Sequence, residues 1–170
     1  GINAAILTGS VICIEPDTYQ GTLDQPIYHD LAEYLTEVLR IRTVLAETIF
    51  LGDYFDDQGA GITMISAPEP DQIMGQNQDD PGAMPGIGTG DAGQKQDPGS
   101  LVFKVHGNRN TGQRAIVVVN DSPDPVLYHW TFTHRDVQKA TLYRPWQKGL
   151  TVKTEEALEI EGDGLHILVE

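Results

Sequence analysis

Residues 101–132 of this chain read LVFKVHGNRNTGQRAIVVVNDSPDPVLYHWTF. Apolar and polar residues alternate over 101–106 and again over 126–133, which is typical of strands with one buried face. Residues 115–119 form a continuous apolar run, which predicts a central strand. Clusters of Asn, Asp, Pro and Gly separate the three segments and predict turns. The stretch therefore predicts antiparallel strands joined by short connections.

The rest of the C-terminal half continues this pattern. Tyr128, Trp130 and Phe132 share one face of their strand, and large aromatic side chains on one face favour a core position. His106, His129 and His166 fall on the polar phase of their strands, which predicts that they are exposed. Strands separated by turn signals at short intervals are typical of a β-sandwich. Shorter strands are predicted at 140–143, 150–153, 157–160 and 164–169.

Upstream of the strands, a helical pattern covers about 25 residues. Asp24 is a plausible N-cap, Pro26 suits the first turn, and Gly52 suits the C′ position. Apolar residues recur at helical spacing and predict an amphipathic stripe. The stripe comprises Leu31, Tyr34, Leu35, Val38, Leu39, Leu45 and Ile49.

The first residues predict a strand buried on both faces. Val11 to Ile14 are uniformly apolar, and such a strand needs neighbours on both sides. The chain starts at Gly1 without Met and runs directly into apolar sequence. From this we expect a piece of a larger protein whose other strands pair with Val11 to Ile14.

The predicted fold class is α+β, with an N-terminal strand and a long amphipathic helix followed by an antiparallel β-sandwich. We expect the strand and helix over 1–58, and a connector with a Gly/Pro-rich loop over 59–100. The sandwich is expected over 101–170. A short strand is predicted at 62–66 within the connector.

Charge and composition exclude several classes of partner. The net charge is −14, from 11 Lys and Arg against 25 Asp and Glu, and this repels nucleic-acid phosphates and anionic membrane surfaces. No apolar run approaches the length of about 20 residues that a membrane span requires. The single cysteine, Cys13, excludes an internal disulfide and suits a small buried apolar residue.

The residues predict no catalytic group, metal or cofactor within this chain. No Gly-x-Ser-x-Gly elbow occurs, and no two histidines have the spacing that places both on one helix face for zinc. The Gly86-x-Gly88-x-Gly90 sequence lacks the spacing of a dinucleotide-binding loop. Adjacent acids at 56–57 and 155–156 point to opposite faces of a strand, so neither pair forms a hydrolytic dyad.

Several segments, in their order along the chain, resemble the C-terminal region of (β/α)8-barrel glycoside hydrolases. The first segments are LTGSVICIEP (7–16), LAEYLTEVLRIR (31–42) and IFLGDY (49–54). In those enzymes a final barrel strand leads to a helix and then into a β-sandwich. The later segments AIVVVNDS (115–122), LYRPW (142–146) and GLHILV (164–169) are similar to strands of that sandwich.

The resemblance implies a largely non-catalytic segment of an enzyme that hydrolyses glycosidic bonds without a cofactor. The catalytic carboxylates of such enzymes lie on earlier barrel strands, so the partner would be the missing barrel, and carbohydrate would be bound through the parent enzyme. Glu15, at the end of the expected last barrel strand, with Asp17 and Tyr19, would rim the sugar site. Alternatively, Glu15 is an acid at the end of a strand and faces solvent.

Trp146 is a candidate for stacking on a sugar ring, since it follows Arg144-Pro145 in an expected turn. Packing of this indole against the sandwich edge is the alternative. Two further functions stay open at this point. The chain could be a freestanding carbohydrate-binding or structural β-sandwich module, or a small enzyme whose carboxylates only the fold brings together.

Overall fold

The computed structural model describes residues 2–10, 25–65 and 101–170. The helical elements of these ranges lie within the first 50 residues. They are α1 (Ile2–Leu7), a 3₁₀ turn (Pro26–Tyr28), α2 (His29–Val44) and α3 (Ala46–Ile49).

The described segments contain nine strands. They are β1 (Asp53–Asp56), β2 (Ala60–Ile65), β3 (Leu101–Gly107), β4 (Arg114–Asn120), β5 (Val126–Phe132), β6 (Lys139–Arg144), β7 (Gln147–Lys153), β8 (Leu158–Ile160) and β9 (Leu165–Val169). Each strand predicted from residue 101 onward is present, and the strand predicted at 62–66 is present as β2.

The strands form two antiparallel sheets. The larger sheet has the order β1-β3-β4-β9-β6-β7, and the smaller has the order β2-β5-β8. The register of β4 places Ala115 opposite His106 on one side and opposite Val169 on the other. The fold is thus mainly antiparallel β-structure with a few helices, as an α+β fold containing a β-sandwich requires.

One apolar core lies between the two sheets. Ile116 and Val118 of β4 face the aromatic side of β5, where Tyr128 and Trp130 are fully buried. The prediction that the aromatic face of this strand forms core is therefore confirmed.

A second core lies on the opposite face of the six-stranded sheet. Ala115 and Val117 of β4 pack there against Val38 and Ile41 of α2 and against Ile6 of α1. The continuous apolar run of β4 is explained by this arrangement, because both of its faces are covered. Helices, large sheet and small sheet make three layers.

The predicted continuous helix of about 25 residues is wrong in length. α2 has 16 residues and α3 has four, and Leu45 separates them with φ −106° and ψ 17°, outside helical geometry. Gly52 also does not occupy a C′ position with positive φ. A Cβ there would lie 2.1 Å from the carbonyl oxygen of Gly107, so close backbone approach requires glycine.

The sequence did not predict α1 or β1. α1 is short and buries Ile6 and Leu7 in the helix-facing core, and β1 pairs with β3 at the edge of the large sheet. The strand predicted at Val11 to Ile14 lies outside the described residues. Within the described ranges, no helix is long and apolar enough to cross a membrane.

Candidate functional site

Among the residues predicted to bind carbohydrate, Trp146 is the one that the structure describes. Glu15, Asp17 and Tyr19 lie outside the described residues. Trp146 occupies the two-residue turn between β6 and β7, where Arg144 pairs with Gln147. It is 62% exposed, so its ring is largely accessible from solvent.

The backbone of Trp146 has a conformation that bulky residues rarely adopt. Its φ is 60°, in the left-handed region, where crowding of Cβ costs about 1–2 kcal/mol. Proline followed by a residue with positive φ is typical of a type II turn, which favours Gly or Asn at the second position. Tryptophan is thus present against the preference of the backbone. Residues of this kind concentrate at functional sites.

An open cleft of about 550 Å³ adjoins Trp146. It lies between α2, the β6–β7 turn and the turn that connects β8 to β9. Its volume is within the range of roughly 300–1,000 Å³ that is usual for small-ligand sites. The aromatic and polar side chains that line it are Tyr34, Arg144, Trp146, Gln147, Glu161, Asp163 and His166.

Two aromatic rings form one side of the cleft. The centroids of Tyr34 and Trp146 are 5.5 Å apart, and their planes are inclined by 49°. Tyr34 comes from α2 and Trp146 from the large sheet, so the pair joins two layers of the fold. Such rings offer apolar faces together with a hydroxyl or N–H group at the edge.

Helix α2 also contacts the backbone of the turn. The Trp146 N–H donates to Glu37 Oε2 over 3.0 Å, and Arg40 Nη2 donates to the carbonyl oxygen of Gln147 over 2.9 Å. Glu37 and Arg40 are themselves joined, with Arg40 Nε 3.0 Å from Glu37 Oε2. The hydrogen bond from Arg40, followed by that from the Trp146 N–H, lowers the pKa of Glu37.

Asn3 of α1 connects the aromatic wall to the opposite turn. The Tyr34 hydroxyl donates to Asn3 Oδ1 over 2.5 Å, and Asn3 Nδ2 donates to the carbonyl oxygen of Asp163 over 2.7 Å. Burial raises the pKa of Tyr34, against the opposing effect of the Asn3 hydrogen bond, and the Asp163 carboxylate raises it further. The Tyr34 hydroxyl therefore stays protonated.

His166 lies at the base of the cleft, between the sheets. Its Nδ1 is 2.8 Å from the Tyr128 hydroxyl. Burial, and secondarily the positive charge of Arg144, lower the pKa of His166 to about 4. The imidazole is therefore neutral near neutral pH.

The prediction that His106 and His166 are exposed is wrong, since they are 1% and 3% exposed. Both lie on strands that are covered on both faces, so the polar phase of the strand does not face solvent. His106 Nε2 donates to the carbonyl oxygen of Leu7 over 2.9 Å and so links β3 to α1. His129 is exposed, as predicted, because no described segment covers the outer face of the small sheet.

The charged groups of the cleft carry both signs. Arg144 Nε donates to Gln147 Oε1 over 2.7 Å, and its guanidinium forms no ion pair with a carboxylate of the described residues. Glu161 and Asp163, both exposed, supply carboxylate acceptors on the facing turn. A ligand rich in hydroxyl groups matches such a lining, because each hydroxyl both donates and accepts.

The acidic pairs considered for hydrolysis do not line the cleft. Asp56 pairs with Lys104, and Glu155 Oε1 lies 3.7 Å from Lys153 Nζ. Over residues 2–10, 25–65 and 101–170, no group of three or more His, Cys, Asp or Glu side chains is arranged to hold a metal ion. The cleft itself offers aromatic rings and hydrogen-bonding groups.

Sequence reasoning found one residue of this cleft and missed the others. Tyr34 was counted in the apolar stripe of the helix, and no role was predicted for Glu161 and Asp163, which lie between two predicted strands. The Pro145-Trp146 dipeptide was the one local signal for the cleft, since the neighbouring residues do not explain a large aromatic side chain in a short turn.

Comparison with known proteins gives no assignment, because no family model, curated protein or solved structure matches this chain.

Proposed function

We propose that this chain is a largely non-catalytic, C-terminal segment of a glycoside hydrolase, and that it binds a neutral glycan in the cleft beside Trp146. The β-sandwich supports the catalytic barrel, and the cleft holds part of the substrate chain. Glycosidic bonds are cleaved by carboxylates of the barrel, which this proposal places outside the chain.

One observation carries the binding proposal. An exposed tryptophan is kept in a left-handed conformation at the edge of a cleft of about 550 Å³, 5.5 Å from a second aromatic ring. Glycans bind proteins by stacking apolar ring faces on aromatic side chains while their hydroxyls bond to polar neighbours. Arg144, Glu161 and Asp163 supply such neighbours here.

Replacement of Trp146 by glycine separates binding from folding. Glycine suits the positive φ of this turn, and it keeps the N–H group that contacts Glu37. We therefore expect Trp146→Gly to fold with unchanged or slightly increased stability. Loss of the indole should weaken glycan binding at least about tenfold.

The measurement is isothermal titration with neutral hexasaccharides, namely maltohexaose, cellohexaose, xylohexaose and mannohexaose. Leu127→Ala is the matched control, since Leu127 is 42% exposed on the outer face of the small sheet, away from the cleft. Equal affinity of Trp146→Gly and the unaltered chain for every hexasaccharide bound would contradict the proposed site. Absence of binding to all four would contradict it as well.

The exposed apolar surface of the helical layer supports a partner barrel. Leu39 and Val44 of α2 are 40% and 58% exposed, and Leu51, just after α3, is 61% exposed. Burial of these three side chains against a barrel would remove apolar surface from water. The opposite side of the same helices is already buried on the large sheet.

The role of the parent enzyme has its own test. In the intact hydrolase, Glu15→Gln should lower turnover, because Glu15 would stand at the carboxyl end of the last barrel strand. Asp17→Asn and Tyr19→Phe test the neighbouring positions in the same assay. Unchanged turnover in the Glu15 variant, or hydrolysis by this chain alone, would contradict the assignment.

A freestanding carbohydrate-binding module is the second candidate. It is favoured because residues of this chain suffice to form the cleft beside Trp146. Glycan binding by the pure chain, with no change when a barrel is supplied, would favour the module. Binding that strengthens when the barrel is present would favour the hydrolase segment.

A further inference from the structure

The turn that presents Trp146 is held by a pair of charged residues on α2. Glu37 Oε2 accepts the N–H of Trp146 over 3.0 Å, and Arg40 Nη2 donates to the carbonyl oxygen of Gln147 over 2.9 Å. The two side chains are also bonded to one another over 3.0 Å. This Glu37–Arg40 pair therefore contacts the polypeptide on both sides of the Trp146 carbonyl group.

The turn needs such contacts because its own backbone opposes the conformation. A tryptophan with φ of 60° persists where the surroundings fix it from several directions. Within the turn, Arg144 Nε bonds to the side chain of Gln147 over 2.7 Å. Further polar contacts to the turn come from α2.

We infer that Glu37 and Arg40 are positioning residues for the glycan site: they fix the turn so that the Trp146 indole stands beside Tyr34 before any ligand arrives. The identity of the ligand in this inference rests on the proposed function. The fixing of the turn by Glu37 and Arg40 does not depend on that function. Because the pair lies on α2, the binding site is complete only when the helical layer is docked on the large sheet.

The position of the pair distinguishes this role from a general contribution to stability. The side chains of Arg40 and Glu37 are 38% and 24% exposed, and ion pairs near the surface add little to the free energy of unfolding. A fixed turn improves affinity by reducing the ordering that binding requires. Loss of the pair should therefore alter the turn and the affinity more than it alters unfolding.

The variants are Glu37→Ala, Glu37→Gln and Arg40→Met. Gln retains an acceptor for the Trp146 N–H, whereas Ala removes it, and Met retains the apolar stem of Arg while removing its donors. Arg42→Met is the matched control, since Arg42 lies on the same helix but stacks on Phe50 at 4.4 Å. Each variant is titrated with the hexasaccharide that the unaltered chain binds most tightly.

Tryptophan fluorescence gives a reading that does not depend on any glycan. Trp130 is fully buried and Trp146 is 62% exposed, so acrylamide quenching and anisotropy of the accessible component report on Trp146. We expect Glu37→Ala and Arg40→Met to raise quenching and lower anisotropy in the free protein, and to weaken binding about tenfold, as loss of a charge-assisted hydrogen bond does. Glu37→Gln should lie closer to the unaltered chain, and Arg42→Met should match it.

The outcomes separate this inference from the proposed function. Unchanged quenching and anisotropy in both Glu37→Ala and Arg40→Met would overturn the positioning role, whether or not a glycan binds. Exposure of Trp130 in both variants would also overturn it, because the pair would then maintain the fold as a whole. A changed Trp146 signal without binding to any hexasaccharide supports the positioning role and contradicts only the glycan site.

Discussion

Asn120 is a buried polar residue that joins two turns at one end of the sandwich. It is 0% exposed, and its Nδ2 donates to the carbonyl oxygens of Asp124 and Glu161 over 2.7 and 3.0 Å. Its Oδ1 accepts the N–H of Ser122 over 3.1 Å. Since Glu161 belongs to the turn that borders the cleft, the hydrogen bond from Asn120 also holds one wall of the proposed binding site.

Asn120→Ala should lower the free energy of unfolding by about 2 kcal/mol, because it leaves buried backbone groups without partners. Urea denaturation followed by circular dichroism measures the change. Asn108→Ala is the control, since Asn108 Oδ1 also accepts two backbone N–H groups, over 2.9 and 3.1 Å, but in an exposed turn. If Asn120→Ala lowers the free energy of unfolding no more than Asn108→Ala does, burial is not what makes the Asn120 hydrogen bonds important.

Because His166 is buried, we expect the free energy of unfolding to fall in mild acid. Its pKa is about 4 in the folded chain and near the ordinary value of about 6.5 when unfolded, so the unfolded state takes up the proton first. The stability is fully present above about pH 6.5 and is lost as the pH falls toward 4. For this group the whole effect is of the order of 3 kcal/mol.

His166→Gln should flatten the dependence of the free energy of unfolding on pH between 6.5 and 4. Denaturation midpoints measured at half-unit pH intervals give the slope. His106 contributes in the same direction, because burial lowers its pKa too, so some slope should remain. A slope in His166→Gln equal to that of the unaltered chain would show that His166 is not the group responsible.

Helix α2 connects the apolar core to the binding cleft. One side buries Val38 and Ile41 against the large sheet, and the same helix carries Tyr34, Glu37 and Arg40 to the cleft and its turn. The spacing of three to four residues places both sets on adjoining faces of one helix. Docking of the helix and formation of the cleft are therefore the same structural event.

Ile41→Ala should lower the free energy of unfolding by about 2–4 kcal/mol, because it leaves a cavity at a site that is 1% exposed. Leu39→Ala, two positions away and 40% exposed, should change it by less than about 1 kcal/mol. Chemical denaturation of both variants makes the comparison. Similar costs at the two positions would contradict the orientation of α2 on the sheet.

The three layers of the chain meet at the cleft, so a ligand there should stabilise the whole fold. A ligand that binds only the folded state adds about 2.7 kcal/mol when present at one hundred times its Kd. We expect a bound hexasaccharide to raise the thermal midpoint of the unaltered chain and of Leu127→Ala. The midpoint of Trp146→Gly should stay unchanged at the same concentration, and an equal rise in that variant would place the ligand elsewhere.

Local patterns were sufficient to predict most of the strands. Period-two alternation, turn residues and, for β4, a continuous apolar run located β3 to β9, because a strand with one buried face alternates and a strand covered on both faces is apolar throughout. The same rule failed for His106 and His166, where a helical layer and a second sheet cover both faces. Helical spacing likewise did not predict the break at Leu45, because the apolar spacing continues across it and only the backbone angles change.

The sequence by itself determined the strands from residue 101 onward and the aromatic core strand, because these depend on neighbouring residues and on turn chemistry. Only the tertiary structure decided which residues share the cleft. Tyr34, Trp146 and Asp163 lie far apart along the chain, and packing of α2 on the large sheet brings them together. The left-handed backbone of Trp146 and its contacts with Glu37 and Arg40 likewise arise from that packing, which no short-range pattern encodes.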